Sequence, residues 1–491
     1  MDIKPLSLYT SDEIRHCEQL AKTSLKLTEE ALMERAAVAS LAVIKRKFSK
    51  TKKIAVYCGG GNNGGDGYWL AYLLASEGRD VTIYQATSIN DLKPTAKHAA
   101  SLAISASIPC VPLNAPLNDE SDLIVDALLG IGFQGELSKT FEEVIDAINK
   151  SLCPVFSIDC PSGLNPDTGW IEKVAINANT TLTFIGAKPG FFTACGPDTC
   201  GDLLVDDLGL STILVNTESA TQLLTEKVFD ATIAPRRKQS HKGDFGRVLV
   251  IGGGRGMLGA PYLAAKACMR VGAGLVTIAC HPDYEGMGTA ILPEALCYGI
   301  DEPSALMPLL ERADVCILGP GLGTDEWAEA VFHKAIASQL PMIIDASALH
   351  FLSAHPQHDD NWVLTPHPGE AAVLLQTKLK QIESSRFQAA TMLQLQYGGT
   401  IVLKGNGTIV QTHKAYVCPF GNPAMASAGM GDVLTGVIAG LYVQGIPLAK
   451  AAMLGVLLHA KAGDSVFEEF GIRGLLASDL FPYLRVLAAD L

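Results

Sequence analysis

Short apolar runs alternate along this chain with longer stretches in which apolar residues recur at helical spacing. In the first half, Lys53–Cys58, Val81–Tyr84, Leu123–Asp126, Val155–Asp159 and Thr181–Ile185 read as strands. Runs that are apolar throughout suit a parallel sheet covered on both faces, because each side chain then meets a helix whichever way it points. Residues 64–78 and Phe141–Lys150 carry the helical period between them. The resulting βαβ rhythm predicts a layered α/β fold. It breaks over residues 211–247, where Pro235-Arg236-Arg237-Lys238 is followed by Gly243 and Gly246. It resumes in Arg247–Ile251, Leu275–Ala279, Val315–Leu318, Met342–Asp345 and Thr400–Lys404. The two halves share glycine-rich loops and do not otherwise align. Two different α/β domains are therefore expected, residues 1–225 and 226–491.

Composition permits this. The chain has 491 residues, 48% apolar and 18% charged, enough for two or more packed cores. A net charge of −13 argues against nucleic-acid and anionic-membrane partners. No apolar run approaches the roughly 18 residues a membrane helix needs. Met1–Lys22 alternates charged and apolar residues and lacks the apolar core of a secretion signal. Twelve cysteines are scattered without CxxC spacing, so reduced thiols and a cytoplasmic location are expected. There is no HExxH, and no zinc site is expected.

The candidate chemistry lies at the ends of the apparent strands. Gly59-Gly60-Gly61-Asn62-Asn63-Gly64-Gly65-Asp66-Gly67 follows the first strand and leads into a helix. It contains GxGxxG, yet the next strand ends Ile83-Tyr84-Gln85, with no acid for a ribose hydroxyl, and no Lys-Ser or Lys-Thr follows the glycines. This excludes an ordinary dinucleotide fingerprint and a P-loop. Asn62 and Asn63 either tolerate turn geometry or supply amides to a ligand. Asp126 precedes Ala127-Leu128-Leu129-Gly130-Ile131-Gly132-Phe133-Gln134-Gly135, and Asp159 precedes Cys160-Pro161-Ser162-Gly163. Each aspartate alone fits a helix cap or turn. Together they form an oxygen-rich set at the carboxyl ends of strands, where α/β folds bind ligands and where a hard cation fits.

These motifs resemble the NAD(P)H-hydrate epimerase domain over roughly residues 10–215. The resemblance implies a Rossmann-like three-layer αβα sandwich. It implies that Asn62, Asn63, Gly64, Gly65, Asp66, Gly130, Ile131, Gly132, Phe133, Gln134, Gly135, Glu136 and Asp159 contact the hydrated nucleotide. Asn63, Asp126 and Ser162 would bind potassium. Asp159 would transfer protons, with Lys188 of Gly186-Ala187-Lys188-Pro189-Gly190 as a candidate partner.

In the second half, Gly252-Gly253-Gly254-Arg255-Gly256-Met257-Leu258-Gly259-Ala260, Gly319-Pro320-Gly321-Leu322-Gly323, Asp345-Ala346-Ser347 and Thr365-Pro366-His367-Pro368-Gly369-Glu370 each follow an apparent strand. Lys404-Gly405-Asn406-Gly407-Thr408 pairs a cation with exposed backbone amides, which suits phosphates. Gly429-Met430-Gly431-Asp432 opens a helix, where backbone N–H groups stabilise anionic charge. An aspartate beside such an anion hole is placed to deprotonate a hydroxyl that attacks a phosphoryl group.

This constellation resembles the ribokinase-like superfamily, and within it the ADP-dependent NAD(P)H-hydrate dehydratase, over roughly residues 228–490. The resemblance implies a ribokinase-like αβα domain. Ala260, Gly323, His367 and Asp432 would line the hydrated-nucleotide site. Lys404, Gly405, Asn406, Gly407, Thr408 and Gly431 would hold the adenine nucleotide, with ADP as co-substrate and magnesium on its phosphates. Asp432 would be the base. A homo-oligomer that acts on small molecules is implied as well.

Some positions depart from the family pattern. Ala424, Ser427 and Ala428 stand in the stretch before Met430, two of them where glycine is usual, and Ser347 replaces an aspartate. A left-handed backbone at Ala428 would strain that loop. The other reading is a ribokinase-like small-molecule kinase with an accessory N-terminal ligand-binding domain.

Overall fold

The computed structural model describes residues 7–116, 120–133, 135–225, 233 and 236–489. They form two compact units, Ser7–Thr221 and a second that begins at Gln222.

The first unit is built on seven parallel strands: β1 (Lys53–Cys58), β2 (Asp80–Gln85), β3 (Cys110–Pro112), β4 (Leu123–Ala127), β5 (Val155–Ile158), β6 (Thr180–Phe184) and β7 (Asp202–Asp206). Their order is β3-β2-β1-β4-β5-β6-β7. The chain moves outward from β1 to β3, then crosses back to lay β4 on the other side of β1. The carboxyl ends of β1 and β4 therefore open a crevice at a topological switch point. Register sets what emerges there, pairing Tyr57 with Asp126 and Asp126 with Ser157.

Sequence reading places the glycine-rich stretch in a loop as far as residue 63. The helix in fact starts earlier, spanning Asn62–Ser76. Gly64, Gly65 and Gly67 are thus helical, and each lets something approach. A Cβ at Gly64 would lie 1.9 Å from the Gly59 carbonyl, one at Gly65 2.4 Å from Met33 Cε, and one at Gly67 2.6 Å from Ala127 Cβ. These glycines seat the helix against its neighbours and the sheet, and this fixes the direction of its first turn.

The second unit contains β8 (Arg247–Ile251), β9 (Leu275–Cys280), β10 (Leu296–Gly299), β11 (Val315–Leu318), β12 (Met342–Ile344), β13 (Trp362–Leu364), β14 (Thr400–Leu403), β15 (Ile409–Gln411) and β16 (Ala415–Val417). These run in the order β16-β15-β14-β13-β12-β11-β8-β9-β10. They are parallel from β14 to β10, and β15 and β16 close one side antiparallel. The switch point falls between β8 and β11. Helix Met430–Tyr442 lies almost wholly inside the core, against helix Gly259–Arg270. Two glycines make that approach possible, since a Cβ at Gly436 would stand 2.1 Å from the Ala264 carbonyl and one at Gly440 2.5 Å from Val271 Cγ2.

Most of the anticipated strands are present within one residue of their expected ends. The short strands β3, β7, β10, β13, β15 and β16 carry too few residues, or too much exposed polar surface, to stand out as apolar runs. Among the described residues no helix is long and apolar enough to cross a membrane.

Candidate active sites

In the first unit, a cleft of about 550 Å³ opens at the carboxyl ends of β1, β4, β5 and β6, within the size range of small-molecule sites. Asn62, Asn63, Asp66, Gly130, Ile131, Gly132, Phe133 and Asp159 all line it. Gly64, Gly65, Gly135 and Glu136 do not, the first two being turned into helix packing, and Gln134 lies outside the described residues. Glu18, from helix Ser11–Ser24, lines the cleft too. No motif marks Glu18 in sequence, because its helix lies far from the strands in the chain.

Asp159 ends its strand in a left-handed conformation, φ +64°. Such a backbone costs a non-glycine residue roughly 1–3 kcal/mol and is held by its surroundings. Here Asp159 donates its N–H to Leu182 O at 2.8 Å, and Cys160 N–H closes a tight turn onto Ile158 O at 2.8 Å. The same turn recurs one strand over, where Ile185 has φ +67° and Gly186 N–H meets Phe184 O at 2.8 Å. Paired turns of this kind aim the Asp159 side chain into the cleft.

Lys188 is wholly buried. Its ammonium donates to Asp159 Oδ1 at 2.8 Å, to Thr183 Oγ1 at 2.5 Å and to Phe184 O at 3.1 Å. Asp159 Oδ2 accepts from Ile131 N–H at 3.3 Å. Burial raises the Glu18 carboxyl pKa, and the Asp159 charge raises it further. Asp66 is pushed well above the usual carboxylate range, first by burial and then by Asp159 and Glu18.

Asp126 is fully buried. Its carboxylate accepts from Ser162 Oγ at 2.5 Å, Ser162 N at 2.9 Å, Ser157 Oγ at 2.9 Å and Leu128 N at 3.2 Å. Burial nevertheless raises its pKa. The Ser162 hydroxyl also accepts from Leu129 N–H at 2.9 Å. The adjacent Gly130 is the point of convergence, because a Cβ there would fall 3.0 Å from Asn63 Cβ and 3.2 Å from Asp159 Oδ2. Asn63 is 7% exposed, and neither its Oδ1 nor its Nδ2 has a partner among the described residues. A buried amide with both ends unsatisfied points to a ligand or ion.

In the second unit, the strand-end loops interlock. A Cβ at Gly319 would meet the Asp345 carbonyl at 1.8 Å, and one at Gly321 would meet Ala260 Cβ at 3.1 Å. Gly323, at φ +87°, faces Met257 Cε. Asp345 is buried and its Oδ1 lies 2.7 Å from the Lys404 ammonium, while Glu370 Oε2 lies 3.7 Å from the same nitrogen. Gly431 borders this group, since its missing Cβ would be 3.2 Å from both Asp345 Oδ2 and Lys404 Nζ. Asp432 occupies the first turn of the next helix. Its carboxyl pKa is raised to about 7, by burial first and by the Asp345 charge second, with Lys404 opposing.

The loop before this helix relieves the strain anticipated for Ala428. The left-handed residue is Gly429, at φ +87°, and Ala428 is not among the residues with positive φ. Gly429 also packs against Leu263, bringing the first turns of the two core helices together. His367 caps helix Pro368–Leu374, its Nδ1 accepting from Gly369 and Glu370 N–H groups at 3.0 and 3.3 Å. Its Nε2 faces Glu370 Oε1 at 3.5 Å.

Two residues enter this region unannounced by any motif. Arg386 is 4% exposed, and its guanidinium donates to the carbonyls of Leu403, Lys404 and Gly407 at 3.3 Å. It thereby shapes the loop from Lys404 to Thr408. Burial lowers its pKa to about 10. His459 is buried beside the backbone of Met430, with no partner for Nε2 among the described residues, and burial holds its pKa down to about 4. Its imidazole is therefore neutral.

Residues 248–485 match the family model described as NAD(P)H-hydrate dehydratase, and residues 29–190 match the one described as YjeF-related protein N-terminus. A solved ribokinase-like superfamily protein of Enterococcus faecalis is 30% identical with a TM-score of 0.52, covering 56% of this chain and 97% of its own. Fold and site thus define an α/β enzyme whose second unit is ribokinase-like. The bifunctional NAD(P)H-hydrate repair enzyme Nnr of Coxiella burnetii is 43% identical over 98% of this chain and 99% of its own length. The Escherichia coli protein of the same name is 39% identical over 98% and 94%. This chain belongs to the family of bifunctional NAD(P)H-hydrate repair enzymes.

Proposed function

We propose that the first unit interconverts the R and S forms of hydrated NADH and NADPH, and that the second dehydrates the S form at the expense of ADP, releasing AMP and phosphate. The observation that carries this reading is a carboxylate at the carboxyl-end edge of each sheet. Asp159 is paired with buried Lys188 in one, and Asp432 stands beside Asp345 and Lys404 in the other.

In the epimerase site, the Asp159 carboxylate and the Lys188 ammonium form an acid–base pair at the floor of the cleft. Together they move the protons that loss and recovery of configuration at the hydroxylated ring carbon require. Asn62, Asn63 and the Gly130–Phe133 segment hold the nucleotide around them. Potassium fits the donor set: the unpartnered Asn63 amide and the Asp126 and Ser162 oxygens converge through Leu129 and Gly130. Bound there, potassium would supply fixed positive charge beside the ring.

In the dehydratase site, Asp432 takes the proton of the ring hydroxyl as that oxygen attacks the terminal phosphoryl group of ADP, and AMP leaves. The phosphorylated oxygen then departs as phosphate, the adjacent ring carbon gives up a proton to water, and the ring double bond is restored. Backbone N–H groups at Gly429–Gly431 stabilise the developing charge. Lys404 and the Gly405–Thr408 backbone hold the phosphates, and Ala260, Gly323 and His367 border the nicotinamide side. Three carboxylates, Asp345, Glu370 and Asp432, outnumber the single Lys404 ammonium. That surplus of oxygen donors and negative charge suits magnesium, which would neutralise the phosphates.

All twelve cysteines are free thiols, which fits a reducing compartment and a cytoplasmic enzyme. Self-association, which the family resemblance implies, is read by light scattering. A small-molecule kinase is not favoured, because the relatives match over both units. The deciding experiment incubates the protein with hydrated NADH and either ADP or ATP and follows the absorbance of reduced nicotinamide. Recovery with nucleotide is expected; no recovery with either nucleotide overturns the reading.

A further inference from the structure

Motif scanning finds no transition-metal signature in this chain, yet the fold assembles one from two helices. Glu329 and His333 stand one turn apart on helix Glu326–Ile336, and His355 ends helix Ser347–Ala354. His333 Nε2 lies 3.9 Å and His355 Nε2 lies 3.7 Å from the same oxygen, Glu329 Oε1. The two imidazoles meet edge to face with centroids 4.9 Å apart. One ligand atom from each residue falls within 4.8 Å of the other two.

We propose that Glu329, His333 and His355 form a surface site for a divalent transition ion of borderline softness, such as zinc or nickel. Two imidazole nitrogens and one carboxylate oxygen suit those ions and not magnesium or calcium, which prefer all-oxygen shells. Tetrahedral zinc at its usual bond lengths holds its ligands about 3.4 Å apart. The two imidazole-to-carboxylate separations exceed this by about 0.3–0.5 Å, the third ligand pair lies within 4.8 Å, and all three side chains are exposed, so rotamer adjustment can close the shell. Water completes the shell.

The spacing on the helix is what allows two ligands on one face. The third arrives because β11 and β12 are neighbours and each is followed by one of the two helices. His355 lies a full eight-residue helix beyond Asp345, about 12 Å at the usual rise per residue. The site is therefore separate from the dehydratase centre and clamps helix Glu326–Ile336 to the end of its neighbour.

The test adds nickel chloride alone to the full-length protein. Calorimetry is expected to show about one ion bound per chain, and the melting temperature should rise with nickel. His333→Ala and His355→Ala should each weaken binding at least tenfold and abolish the nickel-dependent rise. Their metal-free melting temperature and dehydratase activity should stay unchanged, because all three side chains are exposed. The chain also carries a close thiol pair, Cys280 and Cys297, with sulfurs 3.6 Å apart. Thiolate-to-metal charge-transfer bands, or binding that survives both histidine substitutions, would place the ion elsewhere and overturn the proposal. Absence of binding to the wild-type protein would do the same.

Discussion

The ammonium of Lys188 sits 2.8 Å from Oδ1 of Asp159, and no part of the lysine side chain reaches solvent. A buried ion pair of this kind is costly to break, since removing one partner strands the other charge away from water, at about 3–5 kcal/mol. Lys188→Met is therefore expected to lower the melting temperature. It should also slow epimerisation by about a hundredfold or more, the usual contribution of a placed acid or base. Dehydration of the pure S epimer should continue. Resolving the two epimers by chromatography while following reduced nicotinamide separates these outcomes. Loss of both activities in a folded variant would argue against two independent sites.

Asn63 gives a prediction of the opposite kind. Its amide is buried and has no partner among the described residues, so Asn63→Ala should leave the melting temperature almost unchanged in sodium buffer. In potassium buffer the wild type should melt higher than in sodium, and the variant should not. Equal melting of the wild type in both salts would remove the ion from the epimerase mechanism.

The Asp432 carboxyl is held near pH 7 by burial and by Asp345, against an ordinary value of 3.8. As a base it works only when ionised, so kcat/KM for dehydration should fall as pH drops below about 7. Ionising it in the folded state costs stability that is absent at low pH, grows as pH rises from 3.8, and is complete above 7. Asp432→Asn removes that cost. At pH 8 it should raise the melting temperature by a few degrees while cutting dehydration by about a hundredfold or more. Epimerisation should be spared. A pH profile flat from 6 to 8 would argue against Asp432 as the base.

The Arg386 guanidinium donates to backbone carbonyls of the 403–407 segment. Losing it should loosen the phosphate loop and leave Asp432 in place. Arg386→Lys, which cannot span three carbonyls at once, is expected to raise KM for the adenine nucleotide about tenfold. The rate at saturating nucleotide should change little. An unchanged KM would show that the loop holds its shape by other means.

The reach of sequence reading differs from element to element, and the reasons are physical. Strands such as β1, β8 and β11 are buried on both faces, so they write continuous apolar runs that are read directly. β7 begins and ends with aspartates and has no fully buried residue, so it leaves no such run. Asn62 and Asn63 read as the end of a loop because asparagine is a poor helix former. Packing against Met33, the Gly59 carbonyl and Ala127 outweighs that propensity and starts the helix early. Asp126, Asp159 and Asp432 were legible because each stands where a strand ends or a helix begins. Glu18, Arg386, His459 and the Glu329–His333–His355 group were not. Each acquires its neighbours from a distant part of the chain, and no local pattern records such a meeting.

The bare Cα of Gly436 has a consequence for how activity can be lost. It stands four residues after Asp432 on the same helix, with the Ala264 carbonyl filling the space a methyl group would need. Adding that methyl must lift the helix away from its partner, and Asp432 would ride outward with it, off the line to the phosphate. Scanning mutagenesis should therefore score Gly436 as though it were part of the chemistry. An inert interior position sets the aim of the reactive group, and substitution there disarms the enzyme without touching a single ligand.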